Sequence, residues 1–114
     1  MTATLHGKHI VITGGTGSLG GAVVAKLLDE GAICHVPNAH AAAPAHFTLS
    51  GNERVRLAHN VDLADPAKVE AFYAKIPELW ASIHLAGGFA MAPIESTDPA
   101  AFDEMMDTNA RTTF

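Results

Sequence analysis

A run of β-branched residues, His9-Ile10-Val11-Ile12-Thr13, stops at a cluster of glycines, and an apolar pattern at helical spacing starts directly behind it. The glycines fall at Gly15, Gly17 and Gly20 in the spacing G-x-G-x-x-G, with Gly14 just ahead. A strand that turns sharply into a helix needs a residue free to adopt unusual φ. It also needs backbone without a Cβ where another group must approach, and a close contact between strand and helix. Gly14, Gly17 and Gly20 answer those three needs. The first N–H groups of a helix have no partners within it, and the helix dipole favours negative charge there, so a loop of this kind is suited to a pyrophosphate. Ser18 adds a hydroxyl donor. The loop lacks the Gly-Lys-Ser/Thr ending of a P-loop, which disfavours a nucleoside triphosphatase. A glycine-rich turn that merely lets strand and helix pack is the alternative, and the strand–loop–helix context weighs against it.

The rest of the chain repeats the same alternation. The first strand is read at His9 to Thr13. A helix is predicted over Leu19 to Glu30, with Leu19, Val23, Leu27 and Leu28 on its apolar face and Gly31 as terminator. Ala32 to Val36 reads as a second strand that Pro37 stops. Asn38 to Asn52 has no apolar period and reads as loop, with a short helix over Ala39 to Ala45 as a weaker expectation. A third strand is predicted within Arg54 to Val61, and Asp65-Pro66 supplies a cap and an N1 proline for a helix over Ala67 to Lys75. A fourth strand follows at Ala81 to Leu85, and Asp98-Pro99 starts a last helix running toward Phe114. The order β-α-β-loop-β-α-β-α implies a parallel, Rossmann-type α/β sheet with helices on both faces.

A chain of 114 residues is one ordinary domain, expected here over residues 1–114. Seven basic residues against twelve acidic ones, scattered rather than clustered, argue against nucleic acid or an anionic membrane as partner. No segment approaches the roughly 18 apolar residues of a membrane span, and Met1 to Gly7 lacks the pattern of a signal peptide. Cys34, the sole cysteine, reads as core packing, and its solitude points to a reducing, cytoplasmic setting. The spacing of His35, His40 and His46 fits no metal framework, so no metal is expected. Phe89, Met91 and Ile94 read as cover for the sheet, with the lining of a substrate cleft as the alternative.

Read as Thr-Gly-x-x-Gly-x-x-Gly, residues 13–20 resemble the cofactor loop of the short-chain dehydrogenase/reductase family, and three later segments agree in order and spacing. Asn60-Val61-Asp62-Leu63 is similar to the family's strand-end Asp motif. His84-Leu85-Ala86-Gly87 stands where the family has Asn-Asn-Ala-Gly, and Met106-Asp107-Thr108-Asn109 resembles the helical segment that supplies its active-site asparagine. The resemblance implies an NAD or NADP cofactor, contacted by Gly14, Thr16, Gly17, Ser18, Leu19 and Gly20. It places Asp62 beside the adenine with Leu63 next to it. Ala86 and Gly87 become neighbours of the cofactor ribose, joined by Gly88, and Asn109 is implied as the one catalytic residue present. The activity implied for a complete member is hydride transfer to or from a carbonyl or alcohol substrate.

Two departures qualify the implied function. His84 and Leu85 replace both asparagines of the third motif. The family's catalytic Tyr-x-x-x-Lys and its serine have no match here, since Tyr73 is the only tyrosine and Ile76-Pro77 occupies the place of the lysine. Little turnover is therefore expected from this chain alone, which reads as the cofactor-binding portion of an enzyme, truncated at its C-terminus. Two other readings stay open: a non-catalytic dinucleotide-binding module, and a structural Rossmann subunit completed by a partner. The implied strand order, 3-2-1-4, leaves the fourth strand as an edge through which copies are expected to associate. NAD and NADP are usually told apart at the end of the second strand by an acid or an arginine. Asn38 occupies that position, no acid lies between Glu30 and Glu53, and both cofactors stay open. His40 reads as a solvated loop histidine, with a phosphate partner as the alternative.

Overall fold

The computed structural model describes residues 4–114, so that Met1 to Ala3, the head of the stretch read for a signal peptide, lie outside it. Four strands, β1 (His9–Thr13), β2 (Ile33–Pro37), β3 (Val55–Ala58) and β4 (Leu79–His84), form one sheet in the order β3-β2-β1-β4. Every pairing is parallel, with Val11 opposite His35 on one side and Ser82 on the other. The β-branched run of β1 takes the centre because a strand between two neighbours, with a layer on each face, must be apolar on both. Ile10, Val11 and Ile12 are all buried.

Those three side chains alternate between two cores. On one face Ile10 and Ile12 join Cys34 and Val36 of β2 and pack under Val24 and Leu28 of α1 (Ser18–Asp29). On the other, Val11 meets Val61 and the Phe72 and Ile76 side chains, Phe72 belonging to α2 (Pro66–Ala74). The helices therefore cover both faces, as the alternation implied. Within α1 the buried stripe is Gly20, Val24 and Leu28, while Leu19 stands 65% exposed on the first turn, off the face predicted for it.

Several boundaries differ from the sequence reading for local reasons. Pro37 is the last residue of β2 rather than a stop outside it, because the next ladder bond runs from the Asn38 N–H to the Ala58 carbonyl and needs nothing from the proline. β3 ends at Ala58, since Asn60 adopts φ 59° and turns the chain so that the Val61 N–H returns to the Asn38 carbonyl. No helix forms over Ala39 to Ala45: the Asn38 side chain holds the Ala42 carbonyl at 2.9 Å, and Pro44 disfavours helical backbone before it. That connection instead drops Phe47 into the α1-side core.

The last predicted helix is two pieces. α3 (Pro99–Met106) begins at Asp98, whose side chain caps the Ala101 N–H at 2.9 Å, and it passes into a π-helical turn over Asp107–Arg111. Phe89, Met91 and Ile94 do not cover the sheet; each is more than 80% exposed. No helix among the described residues is long and apolar enough to cross a membrane.

Candidate nucleotide-binding cleft

Parallel strands deliver all their following turns to one end of the sheet, and a cleft of about 620 Å³ opens there. The β1–α1 loop forms its floor. Gly14 takes φ +71°, and a Cβ on it would lie 2.7–2.8 Å from the backbone of Leu85 and Ala86, the residues that follow β4. Gly20 sits directly beneath the loop, where a Cβ would run into the Gly14 carbonyl. Gly17 is different: the nearest atom to its added Cβ is the Gly14 carbonyl oxygen at an ordinary 3.4 Å, and its open side faces the cleft. Gly17 is also the N-cap of α1, with no side chain to satisfy the first-turn N–H groups. Those donors are left for an anion.

Thr13 ties the floor together. Its buried hydroxyl accepts the N–H groups of Leu85 (3.1 Å) and Ala86 (3.2 Å), locking the ends of β1 and β4 side by side. Across the cleft, the His46 imidazole bonds the Thr16 carbonyl at 2.9 Å, holding the glycine loop from the β2–β3 connection. Neither residue was singled out as part of the site from sequence. Thr13 reads only as the first residue of the Thr-Gly-x-x-Gly-x-x-Gly motif, with no task of its own, and His46 is thirty residues from its partner.

Of the residues picked out by sequence, Gly14, Thr16, Gly17, Asn38, Asp62, Leu63, Ala86 and Gly87 line this one cleft. Asp62 sits on the turn after β3, its Oδ1 accepting the Ala64 N–H at 2.9 Å. Asn38 is buried and occupied: its side-chain amide donates to the Ala42 carbonyl and meets His59 Nδ1 at 3.3 Å, while its oxygen faces the His40 N–H at 3.4 Å. Ser18 and Leu19 lie exposed on the first turn of α1 and Gly20 lies under the loop, so none of the three lines the cleft. Leu85 and His40 do line it, although sequence reading treated the first as a lost motif position and the second as a solvated loop residue.

Gly88 and Asn109 sit outside the lining, joined to each other. The Asn109 side chain accepts the Gly88 N–H (3.0 Å) and donates to the carbonyls of Gly88 (3.1 Å) and Met105 (3.0 Å). A Cβ on Gly87 would lie 2.6 Å from the same Asn109 oxygen. Asn109 thus clamps the segment that leaves β4 onto the π-helical turn, whose Asp107 and Thr108, with Thr112 just after it, complete the cleft wall.

The strongly perturbed groups lie away from the cleft. Burial pushes the Cys34 thiol up to about 11, so it packs as an inert core group. His35, buried and bonded to His9 at 2.8 Å, is pushed down to about 4 by desolvation, with His9 and Arg56 adding to the effect. No group of three or more His, Cys, Asp or Glu side chains able to hold a metal ion occurs among the described residues. The cleft lining combines the backbone of the glycine loop and small residues with the side-chain groups of Thr16, Thr108, Thr112, His40, Asp62 and Asp107, a mixture that suits an elongated polar ligand.

Comparison with known proteins agrees with this architecture. The chain is 29% identical to an NADH-dependent reductase, A1-R′, solved with NAD, covering 99% of this chain and 50% of that one at a TM-score of 0.81. A short chain dehydrogenase/reductase family protein matches at 27% identity over 96% of this chain and 46% of its own, with a TM-score of 0.83. A short chain dehydrogenase from Leptospira borgpetersenii serovar Hardjo-bovis, solved with NAD+, shares the fold at 22% identity over 96% of this chain and 43% of its own, with a TM-score of 0.76. The chain spans about half the length of these structures. The family model for short chain dehydrogenases matches residues 8–114, nearly the whole sequence, and the chain belongs to that family.

Proposed function

We propose that residues 1–114 form the NAD(P)-binding domain of an oxidoreductase that acts on a carbonyl or alcohol substrate. The observation that carries this reading is the glycine loop. Gly17 leaves space beside an uncapped helix N-terminus, and Gly14 and Gly20 hold that loop where only hydrogen fits. The residues present fit a dinucleotide: first-turn N–H groups for the pyrophosphate, Asp62 and Leu63 on the adenine side, and Ala86 and Gly87 on the side of the second ribose. A bound nicotinamide would supply the hydride chemistry. The protein's own part is to bind and orient, and Asn109 contributes by positioning the 87–88 backbone.

The chain carries no Tyr-x-x-x-Lys pattern, so its own turnover is negligible, because acid/base work needs a donor within hydrogen-bond reach of the reacting oxygen. Hydride transfer belongs to the complete enzyme. Its free, buried Cys34 suits a reducing compartment such as the cytoplasm, and the outer side of β4 is the surface through which copies associate. Calorimetric titration with NADH and NADPH, repeated on Gly17→Val, tests the proposal. Binding that the variant abolishes while its melting temperature holds is the expected result. A folded chain that binds neither dinucleotide would end the reading.

A further inference from the structure

The basic residues are scattered along the sequence, but the fold gathers some of them. Between the turn after β3 and one face of α2 lies a second hollow, of about 260 Å³. Its floor is apolar, formed by the buried Val61 and Phe72. His59, Lys68 and Lys75 stand around it, and no carboxylate is in the lining. Lys68 lies in the first turns of α2 and Lys75 caps its C-terminus, two turns on. They share one face, about 10.5 Å apart along the axis, a span that two flexible four-carbon stems can close.

Each of the three groups has a donor to spare. The Lys68 ammonium is anchored at 3.2 Å on the carbonyl of Asn60, and two of its three protons remain. His59 Nδ1 faces the Asn38 side-chain amide at 3.3 Å; with that nitrogen as the acceptor, the ring carries its proton on Nε2. The ion pairs among the described residues are Lys26–Glu30 and Arg111–Asp107, so neither lysine of the hollow is neutralised by a carboxylate. The acids nearby in sequence are placed elsewhere. Asp62 accepts the Ala64 N–H, Asp65 accepts the Ala67 N–H, and Glu70 is about 200° round the helix from Lys68. Arg56 precedes Ala58 of the lining by two residues and shares its face of β3, adding positive charge along the same edge.

We infer that this hollow binds the phosphoryl group of a small phosphate monoester, at a site separate from the dinucleotide cleft. A dianion with three outer oxygens matches two ammonium groups and one imidazole N–H, and the organic part of the ester has the Val61 and Phe72 floor to cover. Val61 is the one residue lining both cavities, and the glycine loop contributes nothing to this one, so the inference stands without the cofactor reading.

Phenyl phosphate, titrated in phosphate-free buffer at constant ionic strength and followed by heteronuclear NMR, tests it. Saturable shifts are expected at the amides of residues 59–61 and 68–75. Lys68→Gln and Lys75→Gln, both at exposed positions, should each weaken binding by about tenfold, the effect of one charge-assisted hydrogen bond. Gly17→Val, which fills the floor of the cleft, should leave binding unchanged. Benzoate, with the same ring and a single charge, should bind more weakly. No saturable shift at these residues, binding that both lysine variants retain, or equal binding of benzoate would overturn the inference. Binding lost in Gly17→Val would also overturn it, by assigning the phosphate to the cleft.

Discussion

A methyl group added at Gly14 and one added at Gly17 meet opposite surroundings, although the two residues share one loop. At Gly14 it meets backbone at 2.7–2.8 Å with φ already at +71°, and backbone cannot swing aside as a side-chain tip can. Gly14→Ala is expected to cost about 1–3 kcal/mol of stability, read as a lowered midpoint in urea unfolding. Gly17→Ala should leave the midpoint nearly unchanged, and a large loss there would contradict the open space beside it. The buried His35 gives a second prediction. Its pKa is depressed to about 4 from an ordinary 6.5, so the folded state favours the neutral ring. Its contribution is fully present above pH 6.5 and is lost as pH falls toward 4, up to about 3 kcal/mol. Stability measured against pH should fall less steeply across that window in His35→Leu, and parallel curves would refute the assignment.

At the scale of elements, the π-helical turn after α3 matters more than its length suggests. It presents Asn109 to the Gly87–Gly88 backbone, and the same turn carries Asp107 and Thr108 into the cleft wall. The clamp consists of three hydrogen bonds on a solvent-exposed segment, so its loss should loosen the segment locally rather than unfold the sheet. Asn109→Ala is expected to speed amide exchange at Gly88 by about tenfold, the effect of losing roughly one net hydrogen bond, with core amides of β1 unchanged. Uniform loss of protection across the sheet would show instead that the clamp supports the whole fold.

The molecule as a whole is less compact than its length implies. A folded chain of this size has a radius of gyration of about 13 Å, against 15.5 Å here, and its long axis is 55 Å. The excess lies beyond β4, where Phe89, Met91, Ile94, Phe102 and Met106 all stand exposed. β4 itself is paired on one side among the described residues, with Leu79 and Trp80 about half exposed. Apolar surface on that scale and an unpaired edge favour association. Sedimentation velocity should show mass rising with concentration, and Trp80→Lys should weaken the rise. A monomer at every concentration would exclude the β4 side as an association surface.

What could be read along the chain was what is encoded locally. A β-branched run, a glycine spacing and two Asp-Pro caps depend on neighbours within a few residues, so β1, α1, α2 and the start of α3 were legible, as were Gly14, Gly17 and Gly20 in their separate tasks. Matching motifs to a family extended this to the strand order and to five more residues of the cleft wall, Thr16, Asp62, Leu63, Ala86 and Gly87. Contacts between distant segments were not legible. The Thr13 hydroxyl reaches across to β4, His46 reaches back to Thr16, and Asn38 is occupied by Ala42 and His59, none of which leaves a mark on local spacing. Exposure misled for the same reason: the helical pattern put Leu19 on the buried face, and hydrophobicity put Phe89 and Met91 over the sheet. Sequence determined the elements and the glycine loop, because backbone conformation and helix capping are local physics. Only the tertiary structure decided which side chains meet at the cleft, because that depends on where the sheet brings the ends of its strands.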